Sequence, residues 1–198
     1  PEDGYIQPAD LTQALATGAR NRGAEIYRNT NVVGIKQTKN GWVVETDKGS
    51  IECEHVMSCS GNFARQTGKM VGLEIPVIPV EHQYIVTEPH PEIQKRKKEG
   101  LPEMGVLRDS DSRWYMREEA GGLILGPYED GAPCCYVDGP SKDSEYELFQ
   151  EDLDRLAPHI EGAIHRVPAF GEVGVKKVYN GAICYTPDGN PIVGPAWG

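Results

Sequence analysis

The junction at Ser60-Gly61 constrains the fold more than any other stretch, because it divides the sequence into two parts of different character. A short run of strand-favouring and small residues, 56–59, leads into it, and residues 63–66 begin a predicted helix. Glycine at such a point lets a ligand or another strand approach the backbone, since no Cβ stands in the way. The helix start leaves N–H donors free beside it. We therefore expect a crossover between two domains, with a ligand at the junction.

The composition argues against several classes of partner. The formal net charge of −10 over 198 residues is unfavourable for binding nucleic acid or an anionic membrane. No apolar run approaches the roughly 20 residues of a membrane helix, and no signal peptide is recognisable. Five cysteines, an odd number without a paired framework, indicate reduced thiols. We therefore expect a cytoplasmic protein, located in the mitochondrial matrix if the source is a eukaryote.

The part before the junction is predicted to mix helix and strand. An apolar stripe with helical spacing follows Pro8, which suits a first helical turn, and Gly23 is placed to end this helix. Short strands are predicted at residues 24–28, 31–37, 42–46, 50–53 and 56–59. The turn Lys39-Asn40-Gly41 joins two of them as a hairpin. This pattern predicts an α/β arrangement.

The part after the junction is predicted to form an antiparallel sheet. A long strand at residues 81–87 precedes a charged segment, 89–100, which we interpret as a solvated helix or loop. Three further strands follow in a meander, at residues 105–108, 113–117 and 123–128. A helix is predicted at residues 143–157, stopped by Pro158, and then a strand at 173–185, broken at Asn180-Gly181. The fold class is therefore α+β, a mixed α/β chain.

Searches for a metal site, a nucleophile and a phosphate loop give no candidate. Cys53, His55 and Cys59 share strand parity, but a straight strand spreads them apart, so we predict no metal. Cys134-Cys135 has no neighbour that makes it a redox pair. Neither Gly-x-Ser-x-Gly nor Gly-x-Gly-x-x-Gly occurs. From the residues alone, the chemistry stays undefined.

Two strands carry residues whose role the pattern leaves open. Alternation places His82 and Tyr84 on one face of their strand, and Tyr115 and Arg117 on one face of theirs. A lone strand histidine is more often a hydrogen-bonded structural residue than a catalytic one. Tyrosine and arginine in such a row are more often part of a half-exposed sheet face.

Motifs spread along nearly the whole chain favour a functional role for these strand residues over a structural one. They are Ser58-Cys59-Ser60-Gly61-Asn62-Phe63-Ala64, Pro79-Val80-Glu81-His82-Gln83-Tyr84-Ile85-Val86-Thr87, Trp114-Tyr115-Met116-Arg117, Gly126-Pro127-Tyr128-Glu129 and Pro191-Ile192-Val193-Gly194-Pro195. Together they resemble the D-amino-acid-oxidase-type flavoproteins, within which the dimethylglycine and sarcosine dehydrogenase branch is most similar. Several motifs in order are far more specific than any one of them.

The resemblance implies a domain organisation. Residues 1–75 would be part of an FAD-binding α/β domain, residues 76–172 an inserted antiparallel-sheet substrate domain, and residues 173–198 a strand and loop that return to the FAD domain. The family's N-terminal Gly-x-Gly-x-x-Gly segment is not in this sequence. We therefore interpret the chain as an internal fragment whose missing flanking segments complete the site. By itself it is expected to be inactive and to bind FAD weakly or not at all.

The resemblance also implies roles for particular residues. His82 and Tyr115 match a histidine and a tyrosine that face the substrate beside the flavin ring and so are the expected catalytic residues. The resemblance also implies cofactor contacts at seven positions. Val33 would contact the adenine side of FAD, and Ser60 and Gly61 its diphosphate and ribityl region. The loop beside the isoalloxazine ring would be formed by Pro191, Ile192, Val193 and Gly194.

The activity implied for the parent protein is FAD-dependent oxidation of a small secondary or tertiary amine, such as dimethylglycine or sarcosine, by hydride transfer to the flavin. It would act as a dehydrogenase or an oxidase. The alternative is a non-catalytic binding or interaction module of flavoprotein ancestry. A Gly-x-Gly-x-x-Gly unit upstream in the complete gene would favour the enzyme, and its absence the module.

Overall fold

A computed structural model describes residues 5–145 and 147–196, which divide into two compact units. Unit 1 is Ile78–Tyr185 together with Tyr5, and unit 2 is Ile6–Val77 together with the segment that follows Tyr185. Both units contain helix and antiparallel sheet, so the expected mixed fold class is confirmed.

Unit 2 begins with helix α1, Pro8–Arg20, where the sequence places it. Pro8 occupies the first turn, where its missing N–H costs nothing, and the Gln7 side chain accepts a hydrogen bond from the backbone N–H of Ala9 at 3.1 Å. Three antiparallel strands follow: β1 Val32–Thr38, β2 Gly41–Thr46 and β3 Gly49–Cys53. The predicted hairpin joins β1 to β2, with Thr38 opposite Gly41.

Two predicted strands of unit 2 are wrong. Residues 24–28 and 56–59 form no strand, although their composition favours one. A strand is stable only when a neighbouring strand completes its hydrogen bonds, and the three-stranded sheet of the described residues ends at β1 and β3. The helix after the junction is present: a 3-10 turn, Gly61–Phe63, continues into α2, Ala64–Lys69.

Unit 1 is built on a five-stranded antiparallel sheet in the order β5-β6-β7-β4-β8. Its strands are β4 Ile78–Thr87, β5 Leu107–Asp109, β6 Trp114–Glu119, β7 Gly122–Pro127 and β8 Val175–Tyr185. The predicted meander is therefore present as β5, β6 and β7. β8 lies against β4 from Tyr185 to Val175 and belongs to the same unit, whereas the resemblance implied that residues 173–198 are a strand and loop that return to the FAD domain.

The predicted break in the last strand is wrong. β8 runs without interruption through Asn180 and Gly181, which lie opposite Gln83 and His82. The Asn180 side chain is buried, and its Nδ2 donates hydrogen bonds to Glu81 Oε2 at 2.9 Å and to the backbone oxygen of Gln150 at 2.8 Å. These bonds satisfy the Nδ2 donor of a residue type that more often ends a strand.

Helix α4, Leu153–Arg166, covers the buried face of the sheet, and it begins ten residues later than predicted. Asp152 caps it, since its Oδ1 accepts from the backbone N–H of Arg155 at 3.1 Å. Pro158 lies inside the helix rather than ending it. Leu156 and Ala163 are fully buried against the sheet, and this burial outweighs the hydrogen bond lost at the proline.

The charged segment is a helix, α3 Pro91–Lys98, capped by the Nδ1 atom of His90. Only its Ile93 is buried. The remaining face is polar, as the interpretation of a solvated helix requires. Across the described ranges, no helix has the length and apolar character that crossing a membrane requires.

Candidate active site on the open face of the sheet

The two faces of the unit 1 sheet differ in burial. On β4, Gln83, Ile85 and Thr87 are buried, whereas His82 and Tyr84, on the opposite face, are half-buried. β6 alternates in the same way: Trp114 and Met116 are buried, and Tyr115 and Arg117 are half-buried. The first face packs against α4, so we call the second the open face.

Aromatic side chains connect His82 and Tyr115 across the open face. The ring of Tyr128, which directly follows β7, lies 6.1 Å from the His82 ring and 6.0 Å from the Tyr115 ring, centre to centre. The structure therefore places the two predicted catalytic residues on the same face, beside one shared neighbour.

A second aromatic pair extends the open face towards its β8 edge. Tyr84 and Tyr179 lie opposite each other on β4 and β8, and their rings stack with centres 4.7 Å apart. The Lys177 ammonium lies 4.4 Å from the centre of the Tyr179 ring. The face thus continues from His82 and Tyr115 to a stacked tyrosine pair covered by a cation.

Partial burial favours the uncharged forms of three side chains on this face, His82, Tyr115 and Tyr84. Burial lowers the pKa of His82; the nearby Arg155 and His159 add to this, and Glu129 opposes it. Burial likewise raises the pKa of Tyr115 and of Tyr84. The face therefore presents a neutral imidazole, which can accept a proton, and protonated phenols, which can donate hydrogen bonds.

The two arginines of the open face differ in their partners. Arg117 is neutralised, with its guanidinium 2.6 Å from the carboxylate of Glu119. Arg108 lies opposite Tyr115 on β5, exposed, with its guanidinium carbon 5.8 Å from the centre of the Tyr128 ring. Within the part of the chain that the structure describes, Arg108 forms no ion pair. It is a cation placed next to the aromatic cluster and able to bind an anion.

A polar cluster on the buried side of the sheet ties the middle of β4 to the segment that follows β7. The Glu129 carboxylate accepts two hydrogen bonds from Gln83, from the backbone N–H at 2.9 Å and from Nε2 at 3.1 Å. It also lies 2.9 Å from Arg155 Nε, and the Arg155 guanidinium reaches Glu81 at 3.3 Å. Because Gln83 and Glu129 directly follow His82 and Tyr128, the cluster sets where those two rings stand.

The predicted cofactor residues all lie in unit 2. Val33 is in β1 and 60% exposed. Ser60 and Gly61 begin the 3-10 turn, and the Ser60 hydroxyl is 2.8 Å from that of Ser58. Pro191, Ile192, Val193 and Gly194 form an exposed segment without helix or strand. None of the seven shares a compact unit with His82 and Tyr115.

The described residues contain no group of three or more histidine, cysteine or acidic side chains arranged to hold a metal ion. The five cysteines are free thiols. Burial raises the pKa of Cys135, and Glu81 and Cys134 raise it further. The thiol form, which is less reactive than the thiolate, is therefore favoured at neutral pH.

The sequence profile of the family described as FAD dependent oxidoreductase (DAO) matches residues 1–198. The chain belongs to this family. The resemblance found in the sequence motifs is thereby confirmed, and the family's cofactor is FAD.

Curated relatives extend over the whole chain. Human mitochondrial dimethylglycine dehydrogenase is 42% identical over 204 aligned residues, which cover 100% of this chain and 23% of the relative. Mouse mitochondrial sarcosine dehydrogenase is 34% identical, covering 99% and 21%. The mouse pyruvate dehydrogenase phosphatase regulatory subunit is 32% identical, covering 98% and 22%. The chain thus spans 21–23% of the length of these three relatives.

A solved structure shares the fold of the chain. The chain superposes on L-proline dehydrogenase from P.horikoshii with a TM-score of 0.75, over 96% of this chain and 47% of that one, at 24% sequence identity. At this identity the likeness bears on the fold alone, and it agrees with the arrangement of helix and antiparallel sheet described above.

Sequence reasoning missed part of the open face. Tyr128, Tyr179, Arg108 and Lys177 received no role, although Tyr128 stands within a quoted motif. The signal that would have found them is cross-strand register: Arg108 is the partner of Tyr115, and Tyr179 is the partner of Tyr84. The sequence does not state which strands are neighbours, so this signal becomes usable only once the sheet order is known.

Proposed function

We propose that the protein containing this chain is an FAD-dependent enzyme that oxidises a small secondary or tertiary amine bearing a carboxylate, of the dimethylglycine or sarcosine type. The observation that carries the proposal is the open face, on which a neutral imidazole and phenol hydroxyls stand beside the Arg108 guanidinium, which has no ion-pair partner among the described residues. Alignment of almost the whole chain with 23% of dimethylglycine dehydrogenase and 21% of sarcosine dehydrogenase supports the same substrate class.

His82 is the proposed proton acceptor. An aliphatic amine is protonated at neutral pH, and the nitrogen must lose that proton before its lone pair can assist removal of a hydride from the neighbouring carbon. A neutral imidazole in a half-buried position is suited to take it, since burial lowers the pKa of His82 and keeps the acceptor form present at neutral pH.

Tyr115 and Arg108 are the proposed binding groups. The Tyr115 hydroxyl stays protonated because burial raises its pKa, so it donates a hydrogen bond to an acceptor on the substrate. The Arg108 guanidinium lies on the adjacent strand and supplies the charge that a carboxylate requires. Together they would orient an amino acid and discriminate against amines without a carboxylate.

The residues of unit 2 are compatible with holding FAD. Gly61 has a φ of +54°, and a Cβ built on it meets no atom within 4 Å, so its backbone is open to a ligand. We propose that Ser60 and Gly61 contact the diphosphate and ribityl region, Val33 the adenine side, and residues 191–194 the ring. FAD, when bound, accepts the hydride taken from the carbon beside the substrate nitrogen.

Steady-state oxidation of N-methylated glycines by the full-length flavoprotein tests this proposal. His82→Ala is expected to lower kcat/KM by about 100-fold with flavin content unchanged, as loss of a general base does. Tyr115→Phe is expected to cost about 1–2 kcal/mol in kcat/KM, because one hydroxyl is removed. His165→Ala, an exposed histidine in α4, is the matched control and should leave turnover unchanged. Unchanged kinetics in folded His82→Ala protein would exclude the role of His82.

A non-catalytic role is the second candidate. The specific observation in its favour is the match to a protein named as a regulatory subunit, at 32% identity over almost the whole chain. This reading predicts that the full-length protein binds a partner without oxidising any amine. Purified full-length protein that contains no FAD and produces no oxidised amine would support it, whereas substrate-dependent flavin reduction excludes it.

A further inference from the structure

Tyr115 lies against a glycine in the middle of the open face. Gly126 on β7 is directly opposite Tyr115 on β6. A Cβ built on Gly126 would be 2.2 Å from Cζ, 2.3 Å from Cε1 and 2.4 Å from the hydroxyl oxygen of Tyr115. Real Cβ atoms do not approach other heavy atoms so closely, so the Tyr115 ring occupies the space that any other residue at position 126 would fill.

The contact with Gly126 determines the position of the Tyr115 hydroxyl group. The atoms nearest the missing Cβ are Cζ, which bears the hydroxyl, then Cε1 and the hydroxyl oxygen, so the end of the ring lies over Gly126 on the neighbouring strand. In this position the ring is 6.0 Å from that of Tyr128. A ring placed in this way leaves the space above it to a ligand.

We propose that Gly126 is a positioning residue for Tyr115, and that the absence of a side chain there determines where the phenol hydroxyl meets the substrate. The effect of Gly126 on kcat/KM rests on the proposed function, in which Tyr115 binds the substrate. The placement of the ring itself is independent of that function. Any side chain at position 126 would push the ring outward, into the space that a substrate above the face would need.

The kinetic test is a double-mutant cycle in the full-length flavoprotein. Gly126→Ala is expected to lower kcat/KM for dimethylglycine about tenfold, mainly through a higher KM. In a Tyr115→Ala background, where no ring remains to be displaced, Gly126→Ala is expected to change kcat/KM by less than about twofold. Equal effects in the two backgrounds would overturn the proposal.

Gly181→Ala is the matched control. Gly181 is also a strand glycine, opposite His82, but a Cβ there meets only Leu148 Cδ2, at an ordinary 3.7 Å. A loss of kcat/KM in Gly181→Ala equal to that in Gly126→Ala would show that any methyl group added to this sheet is harmful, and would overturn the assignment.

A second readout does not depend on activity. Tetranitromethane nitrates accessible tyrosine rings, and mass spectrometry of a digest measures the extent at Tyr115. Gly126→Ala is expected to raise nitration at Tyr115 several-fold, and Gly181→Ala to leave it unchanged. If the protein oxidises no amine, the nitration result still decides where the ring lies. Unchanged nitration at Tyr115 in Gly126→Ala would overturn the proposal.

Gly126→Ala protein that fails to fold is also informative. If crowding by the Tyr115 ring is the cause, the double variant with Tyr115→Ala must fold, because the colliding atoms are gone. A double variant that also fails to fold would refute the assignment.

Discussion

Removal of the Glu129 carboxylate is expected to destabilise unit 1 more than any other single change in its charged groups. The Glu129 side chain is 1% exposed, and that of Arg155 is 19% exposed. Glu129→Ala removes the acceptor for the backbone N–H and for Nε2 of Gln83, and it leaves the Arg155 guanidinium without its nearest carboxylate.

The size of the effect follows from what is left unpaired. Breaking a buried ion pair by deleting one partner costs about 3–5 kcal/mol, since the other charge stays buried. Arg155 keeps longer contacts with Glu81 at 3.3 Å and with Asp152 at 3.6 Å, so we take the lower end, about 3 kcal/mol. The orphaned N–H of Gln83 adds about 1 kcal/mol. The free energy of unfolding should therefore fall by about 4 kcal/mol.

Equilibrium urea denaturation of the full-length protein, followed by circular dichroism and tryptophan fluorescence, measures the change. Asp130→Ala is the matched control: Asp130 is adjacent, its side chain is 79% exposed, and it pairs with an Arg113 side chain that is 55% exposed. Its loss should change the free energy of unfolding by no more than about 0.5 kcal/mol. A loss below about 1 kcal/mol for Glu129→Ala would refute the view that this cluster holds β4 to the segment that follows β7.

Three further outcomes are expected. Leu156→Ala, at a fully buried position, should lower the free energy of unfolding by about 3 kcal/mol, whereas Leu153→Ala, at a position 54% exposed, should change it by less than about 0.5 kcal/mol; urea titrations of both measure this. Pro158→Ala should raise the melting temperature, because it restores an intrahelical hydrogen bond at an exposed site. Because burial lowers the pKa of His82, the stability linked to its neutral form is present above about pH 6.5 and is lost as the pH falls through the lowered pKa; kcat/KM should fall in the same acid range, and a pH profile that keeps this limb in His82→Ala would contradict the assignment.

Residue patterns predicted the features that depend on nearby residues in the sequence, such as helix starts, tight turns and the alternation of side chains along a strand. Pro8 and the apolar stripe located α1, the turn Lys39-Asn40-Gly41 located a hairpin, and alternation divided β4 into a buried and an open face. Each of these depends on neighbours in the sequence. The family motifs supplied the family and its cofactor, which local patterns did not contain.

The wrong predictions depend on contacts with distant residues. Residues 24–28 and 56–59 have strand composition but lack a pairing partner among the described strands. α4 is displaced because Asp152 caps it and because Leu156 packs on the sheet, and burial there tolerates Pro158. Likewise, Gly126 is an ordinary strand glycine in the sequence, and only the register with β6 shows the ring that covers it.

Anaerobic mixing of the full-length flavoprotein with dimethylglycine tests the central claim most directly, because it observes the oxidation step without later turnover. The account predicts substrate-dependent bleaching of the visible flavin absorption in the unaltered protein, much slower bleaching in His82→Ala, and unaltered rates in His165→Ala. A flavin that stays oxidised with every N-methylated glycine, or that is reduced equally fast without the His82 imidazole, would contradict it.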